Sequence, residues 1–222
     1  MNSAVATAAA LVAACLILTE AAAEPLGAEK AAYEAPQPGS YALPVIKQAA
    51  DGALLDSAGH PVSLRELTHG RVTVLSFIYT RCTAADACPS ATGVLNQLHE
   101  LSAHEPPLAR GLRLVSMSFD PEHDTPARLA TYAQVAQGRP GAADWRFVTA
   151  PSREALEPIL EAYDQAVNRK ANPADAKGPL NHTLRVYLID AAGRIRNIYS
   201  SGTLDPRLVL ADIHTLLLEK PD

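Results

Sequence analysis

Residues 72–78, VTVLSFI, run straight into Tyr79-Thr80-Arg81-Cys82, and this stretch constrains the fold more than any other. Its mostly β-branched, aromatic and aliphatic residues favour a buried strand. Cys88 follows Cys82 after five residues, and Pro89 comes next. Proline is at home in the first turn of a helix, where its missing N–H costs nothing. The order is therefore strand, cysteine loop, helix, with Cys88 at the helix N-terminus. There the positive end of the helix dipole is expected to lower the Cys88 thiol pKa. That favours the thiolate, the form that attacks disulfides and binds metals.

The 222 residues have room for one domain and an export or tether segment. A hydrophobic content of 48% is enough for a core, and a net charge of −5 without Lys/Arg runs argues against a nucleic-acid partner. Of three cysteines, Cys15 lies in the N-terminal apolar stretch, which leaves two for the folded part. Two cysteines six positions apart suit a redox pair or a metal site better than a disulfide framework. A plain structural disulfide is the bland alternative in an oxidising compartment.

Residues 1–23 are Ala-rich and apolar and end in Ala21-Ala22-Ala23, as in a signal peptide with a small-residue cleavage site. No Lys or Arg precedes the apolar run. Two anchors are alternatives: residues 4–19 are marginally long for a membrane span, and Val12-Ala13-Ala14-Cys15 looks like a lipobox. Residues 24–44, with Pro25, Pro36, Pro38 and Pro44, read as a linker, and residues 45–222 as the domain.

Within the domain, 45–46 and 53–55 are expected to form a short β-ribbon, and Ser63-Leu64-Arg65-Glu66 is a capping box that starts a helix at Leu64. Ala91, Val94, Leu95, Leu98 and Leu101 have helical spacing behind Pro89, and Pro106-Pro107 close that connection. A strand at 112–119 leads into Asp120-Pro121-Glu122-His123-Asp124-Thr125-Pro126, where Asp124 or Thr125 caps the helix that Pro126 opens. A strand at 145–149, a helix at 152–167, and a loop or small hairpin at 168–180 follow. Then come antiparallel strands at 183–189 and 195–199 and a last helix from Pro206. The order β-α-β-α-β-α-β-β-α, with a cysteine loop after the first core strand, is a thioredoxin-like pattern: α/β, a central mixed sheet flanked by helices.

In such a sheet the strand behind Asn181-His182-Thr183 starts beside the cysteine loop, bringing two thiolates and an imidazole together. That donor set suits copper, and zinc by ligand type. Asp120 and Asp124 read as turn and cap residues that could orient the site from behind its ligands. Asp86 reads as a solvated loop acid. The other histidines (His60, His69, His99, His104, His123 and His214) read as surface or packed residues.

With FIYTRC…CP, SFDPEHDTP and NHTLRVYLIDAAGRI in this order, residues 40–219 resemble the Sco/SenC family of thioredoxin-like copper proteins. The resemblance implies that Cys82, Cys88 and His182 bind copper, as Cu(I) or Cu(II), with Cys82 and Cys88 also a redox disulfide pair. It further implies copper delivery to, or thiol reduction at, the dinuclear copper site of cytochrome c oxidase during assembly. The implied partners are the copper-site subunit of a respiratory oxidase and a thiol reductant, with or without a membrane tether. The implied place is the periplasm or the outer side of the cytoplasmic membrane. One departure stands out: the family spacing is Cys-x-x-x-Cys-Pro, and here two more residues lie within 83–87. Two alternatives follow from the same residues. One is a dedicated thiol-disulfide oxidoreductase, whose thiols would attack and resolve a partner's disulfide. The other is a copper or redox sensor.

Overall fold

The computed structural model describes residues 34–219, so the expected signal or anchor segment lies outside the described residues. Early in the domain come β1 (Lys47–Gln48), β2 (Ala53–Asp56), β3 (Pro61–Ser63) and α1 (Leu64–Thr68). Ser63 and Glu66 form the capping box in both directions. The 45–46/53–55 ribbon does not form. β2 pairs antiparallel with β3, its own hairpin partner across the Asp56–His60 turn, and β1 pairs with a strand almost 150 residues later. The hairpin is local, whereas nothing near β1 in sequence offers it an edge.

The central part holds β4 (Val72–Ile78), α2 (Cys88–Ala103), α3 (Pro106–Gly111), β5 (Leu112–Ser118), α4 (Pro126–Tyr132) and β6 (Asp144–Thr149). Pro106-Pro107 open α3 instead of only closing a connection, because both occupy its first turn, where proline is pre-shaped. Thr125, not Asp124, caps α4. The chain ends with α5 (Arg153–Ala162), β7 (Val167–Arg169), β8 (Leu180–His182), β9 (Val186–Ile189), β10 (Arg194–Tyr199) and α6 (Pro206–Leu218). α5 stops five residues short of Val167. Asp164 takes a left-handed φ of 50°, and Val167 joins the small β7–β8 hairpin.

The sheet runs β1-β10-β9-β4-β5-β6-β2-β3, with β4, β5 and β6 parallel and β9 antiparallel to β4. All seven residues of β4 are buried. Side chains alternate across a strand, so Val72 and Val74 pack in one core with Leu95 and Leu98 of α2 and Val209 and Ile213 of α6. Leu75 and Phe77 face the other core, with Leu156 and Ile159 of α5. There Phe77, Tyr163 and Tyr187 meet edge-on, their centroids 5.0–5.8 Å apart. Each fully buried aliphatic or aromatic side chain contributes about 1.5–3 kcal/mol of transfer free energy. β4 is covered on both faces, and the cysteine loop leaves from its C-terminal end.

Residues ahead of β1 also join the domain. Leu43 is buried, the Gly39 N–H donates to Thr215 Oγ1 at 3.0 Å, and the Tyr41 hydroxyl donates to the buried Asp212 carboxylate at 2.5 Å.

Candidate metal centre

The ends of two parallel neighbours, β4 and β5, lie together, and the centre is built on them. After β4 the chain turns at once, with the Cys82 N–H donating to the Tyr79 carbonyl at 3.2 Å. Asp124, fully buried beyond the end of β5, holds this turn. It accepts from the Thr80 N–H at 2.9 Å, from the Thr80 hydroxyl at 2.5 Å and from the Ser118 hydroxyl at 2.6 Å. The next residue is held too: Arg81 pairs with the buried Asp120 at 2.7 Å. Both carboxylates thus bond the two residues immediately before Cys82. Neither belongs to a group of convergent donors; among the described residues the only such group of three or more is Cys82, Cys88 and His182.

Cys88 is the first residue of α2 and 1% exposed, and it is anchored by the helix behind it. His182 ends β8, not the start of the long strand expected from sequence. The β7–β8 hairpin carries it over the cysteine loop. Its Nε2 lies 3.4 Å from Cys88 Sγ and 3.9 Å from Cys82 Sγ, and the three donor atoms lie within 4.8 Å of one another. The imidazole is walled by Tyr79, edge-on at 5.4 Å, and by Phe119 at 5.1 Å. Its Nδ1 is buried with no hydrogen-bond partner among the described residues, so Nε2 is the nitrogen available to a ligand.

Charge in the centre is unequally shared. The Cys88 thiol donates to Cys82 and, with His182, holds the Cys82 thiol down at about 4 against the cost of its burial. The same bond, together with burial and the Cys82 charge, pushes Cys88 up. This reverses the expectation for Cys88. A helix N-terminus favours a thiolate, but here a second thiol beside it and an apolar burial outweigh the dipole. Burial, followed by the Cys82 charge, raises the Tyr79 phenol to about 12, so it stays protonated.

This geometry fits a soft cation. Thiolate and imidazole donors at about 2.0–2.3 Å from one ion stand roughly 3.5–4 Å apart. The nitrogen–sulfur separations already have that size. Asp86 is exposed on the loop and outside the group, and the remaining histidines sit elsewhere: His99 packs on Trp145, His123 meets Arg128 and His214 meets Glu105. A cavity of about 370 Å³ opens beside His182, lined by Asp86, Lys170, Lys177 and Asn181. A slightly larger one, about 400 Å³, lies by Gly70 and Asp190 at the other end of β4 and holds none of the three donors.

The sequence reading missed Thr80, Ser118 and Phe119 as part of the frame of the centre. Their only local sign was a run of small and aromatic residues at two strand ends, which core packing would equally produce.

These features define a thioredoxin-fold protein with a buried cysteine–cysteine–histidine centre at the exposed end of its sheet. The SCO1/SenC family model matches residues 48–218, and the chain belongs to that family. It is 28% identical to the SCO1 protein homolog of Bacillus subtilis over 142 residues, 64% of this chain and 68% of that one. Its fold is similar to that of a SCO1/SenC family lipoprotein from Bacillus anthracis, with a TM-score of 0.66 and 22% identity over 81% of this chain and all of that one. It is also similar to copper-bound ScoI of Bradyrhizobium japonicum, with a TM-score of 0.61 and 21% identity over 76% and 99% of the two chains.

Proposed function

We propose that this protein is an exported copper metallochaperone that binds one copper through Cys82, Cys88 and His182. It passes the ion to the dinuclear copper site of cytochrome c oxidase during assembly. The observation that carries this reading is the convergence of three soft or borderline donors within 4.8 Å, in a family with a copper-bound relative. Copper is the cargo. Cys82 supplies a thiolate, Cys88 gives up its proton on ligation, and the imidazole Nε2 closes the set. A recipient's own thiolates and imidazoles then replace these donors one at a time. The cysteines must be reduced to bind, which implies a thiol reductant in the exported compartment. Residues 1–23 serve as the signal or the membrane tether, on the outer side of the cytoplasmic membrane.

The close pair of thiols also supports a second reading, a dedicated thiol-disulfide reductase in which Cys82 attacks and Cys88 resolves. Copper stoichiometry separates the two. One tight copper per reduced chain, lost in Cys82→Ser, Cys88→Ser and His182→Ala, supports the chaperone. No tight copper, with the thiols still cycling, sinks it in favour of the reductase.

A further inference from the structure

Five residues separate Cys82 from Cys88, and α2 holds only one end of this loop. At the other end Asp124 and Asp120 hold Thr80 and Arg81, and three further contacts come from the strap 170–179 that joins β7 to β8. The Thr83 hydroxyl donates to the Ala176 carbonyl at 2.5 Å. The Tyr79 hydroxyl donates to the Lys177 carbonyl at 3.2 Å. Gly178 follows Lys177 in the strap, buried, with a φ of +93°. A Cβ there would collide with the Tyr79 hydroxyl and stand 2.8 Å from the Arg81 carbonyl. Only glycine takes this φ without strain and lets two backbones come so close. The strap is itself stiffened, by Lys170 N–H to the Pro179 carbonyl at 2.8 Å and by a Lys170–Asp175 ion pair at 3.2 Å.

We propose that the strap is a splint for the lengthened cysteine loop, with Gly178 and Thr83 as the positioning residues that hold Cys82 under His182. The strap and His182 belong to one hairpin, so the same element that delivers the imidazole clamps the first cysteine. Cys88 needs no such help, because it is built into α2. Releasing the strap therefore loosens Cys82 beyond the turn that Asp124 and Asp120 hold, and leaves Cys88 in place. The consequence for copper rests on the function proposed above; the mechanical claim does not.

The test uses the full chain, reduced and metal-free, with a neutral maleimide and peptide mass spectrometry to read each cysteine separately. Gly178→Ala and, independently, Thr83→Val are expected to speed Cys82 modification about five- to tenfold, the effect of one lost tie on a local opening. Cys88 keeps its rate, and Thr83→Ser, which retains the hydroxyl, restores the original Cys82 rate. Unchanged Cys82 rates in both variants would overturn the splint. So would a parallel rise at Cys82 and Cys88, which signals general loosening, or a Thr83→Ser protein that behaves like Thr83→Val. Copper stoichiometry of the unsubstituted protein is measured alongside. Its failure would remove the proposed function and leave the modification result standing.

Discussion

His182 Nε2 lies 3.4 Å from Cys88 Sγ although 94 residues separate the two in the chain. The contact joins the open end of one hairpin, where His182 pairs with Val167, to the first turn of a helix. With Cys82 alongside, it makes a compact donor set whose frame is two strand ends and a pair of buried carboxylates.

The thiol pair should titrate asymmetrically. In the reduced, metal-free protein, thiolate absorbance from Cys82 is expected to appear near pH 4, while Cys88 stays protonated through neutrality. Cys88→Ala removes the thiol that donates to Cys82, so the remaining Cys82 transition should move up toward the ordinary thiol value of about 8.5. A Cys82 transition that stays in place would show that the helix end or His182, and not Cys88, sets the charge.

Asp124 should behave as a positioning residue with a large stability cost. It is fully buried and accepts three hydrogen bonds, two of them from Thr80. Asp124→Ala leaves the Thr80 and Ser118 donors unpaired and is expected to cost about 3 kcal/mol in urea unfolding. Asp124→Asn keeps the shape and some acceptors and should cost clearly less. Equal losses would place the effect in the charge and not in the bonding.

Acid should loosen the far end of the sheet. Burial alone raises the Asp190 carboxyl, but bonds from the Arg194 N–H and guanidinium and from the buried Arg196 outweigh it, so the net shift is downward. A carboxyl held below its unfolded value of about 3.9 stabilises the fold above that pH, and the contribution fades as pH falls through the folded value. Asp190→Asn should therefore cost about 2 kcal/mol at pH 7, because Arg196 keeps Glu219 and the Leu43 carbonyl but loses one charge-assisted bond. The gap from the unsubstituted protein should shrink toward pH 2–3, read from urea midpoints across about that range. A gap that does not change with pH would rule out the carboxylate charge as its source.

The segment ahead of β1 should unfold with the domain. Tyr41 bonds Asp212, which also accepts from Asn197 at 2.8 Å and Tyr199 at 2.6 Å. Tyr41→Phe removes one of these bonds and is expected to cost about 1 kcal/mol. It should also admit proteolysis within 39–43 under native conditions. Unchanged cleavage would mean that the buried Leu43 and the Gly39–Thr215 bond secure the segment without Tyr41.

Much of the local structure was legible without coordinates. The run through β4, Pro89 and Pro206 in first turns, and the Ser63–Glu66 box each announce an element through its own few residues. The errors fall where the deciding partner is remote or where two local readings compete. The ribbon expected from 45–46 and 53–55 does not form, because the strand here, β1 at Lys47–Gln48, finds its edge in β10, almost 150 residues away. The end of α5 was overrun because the left-handed turn at Asp164 leaves no sign in apolar spacing. Pro106-Pro107 serve equally as a stop and as a start, and the helix they open became visible only in the fold.

By itself the sequence determined the strand–loop–helix unit, the order of the core elements and the three donor side chains. Those features follow from β-propensity, helix caps and the chemistry of sulfur and imidazole, all of which act within a few residues or a single side chain. Only the tertiary structure decided that His182 arrives on a separate hairpin, that Asp120 and Asp124 hold Thr80 and Arg81, and that Cys82 carries the charge. Each depends on burial and on hydrogen bonds between segments 40 to 100 residues apart, such as those of Thr80 with Asp124 and Cys82 with His182. Such contacts set the local dielectric and the proton's place, and no window of sequence contains both partners.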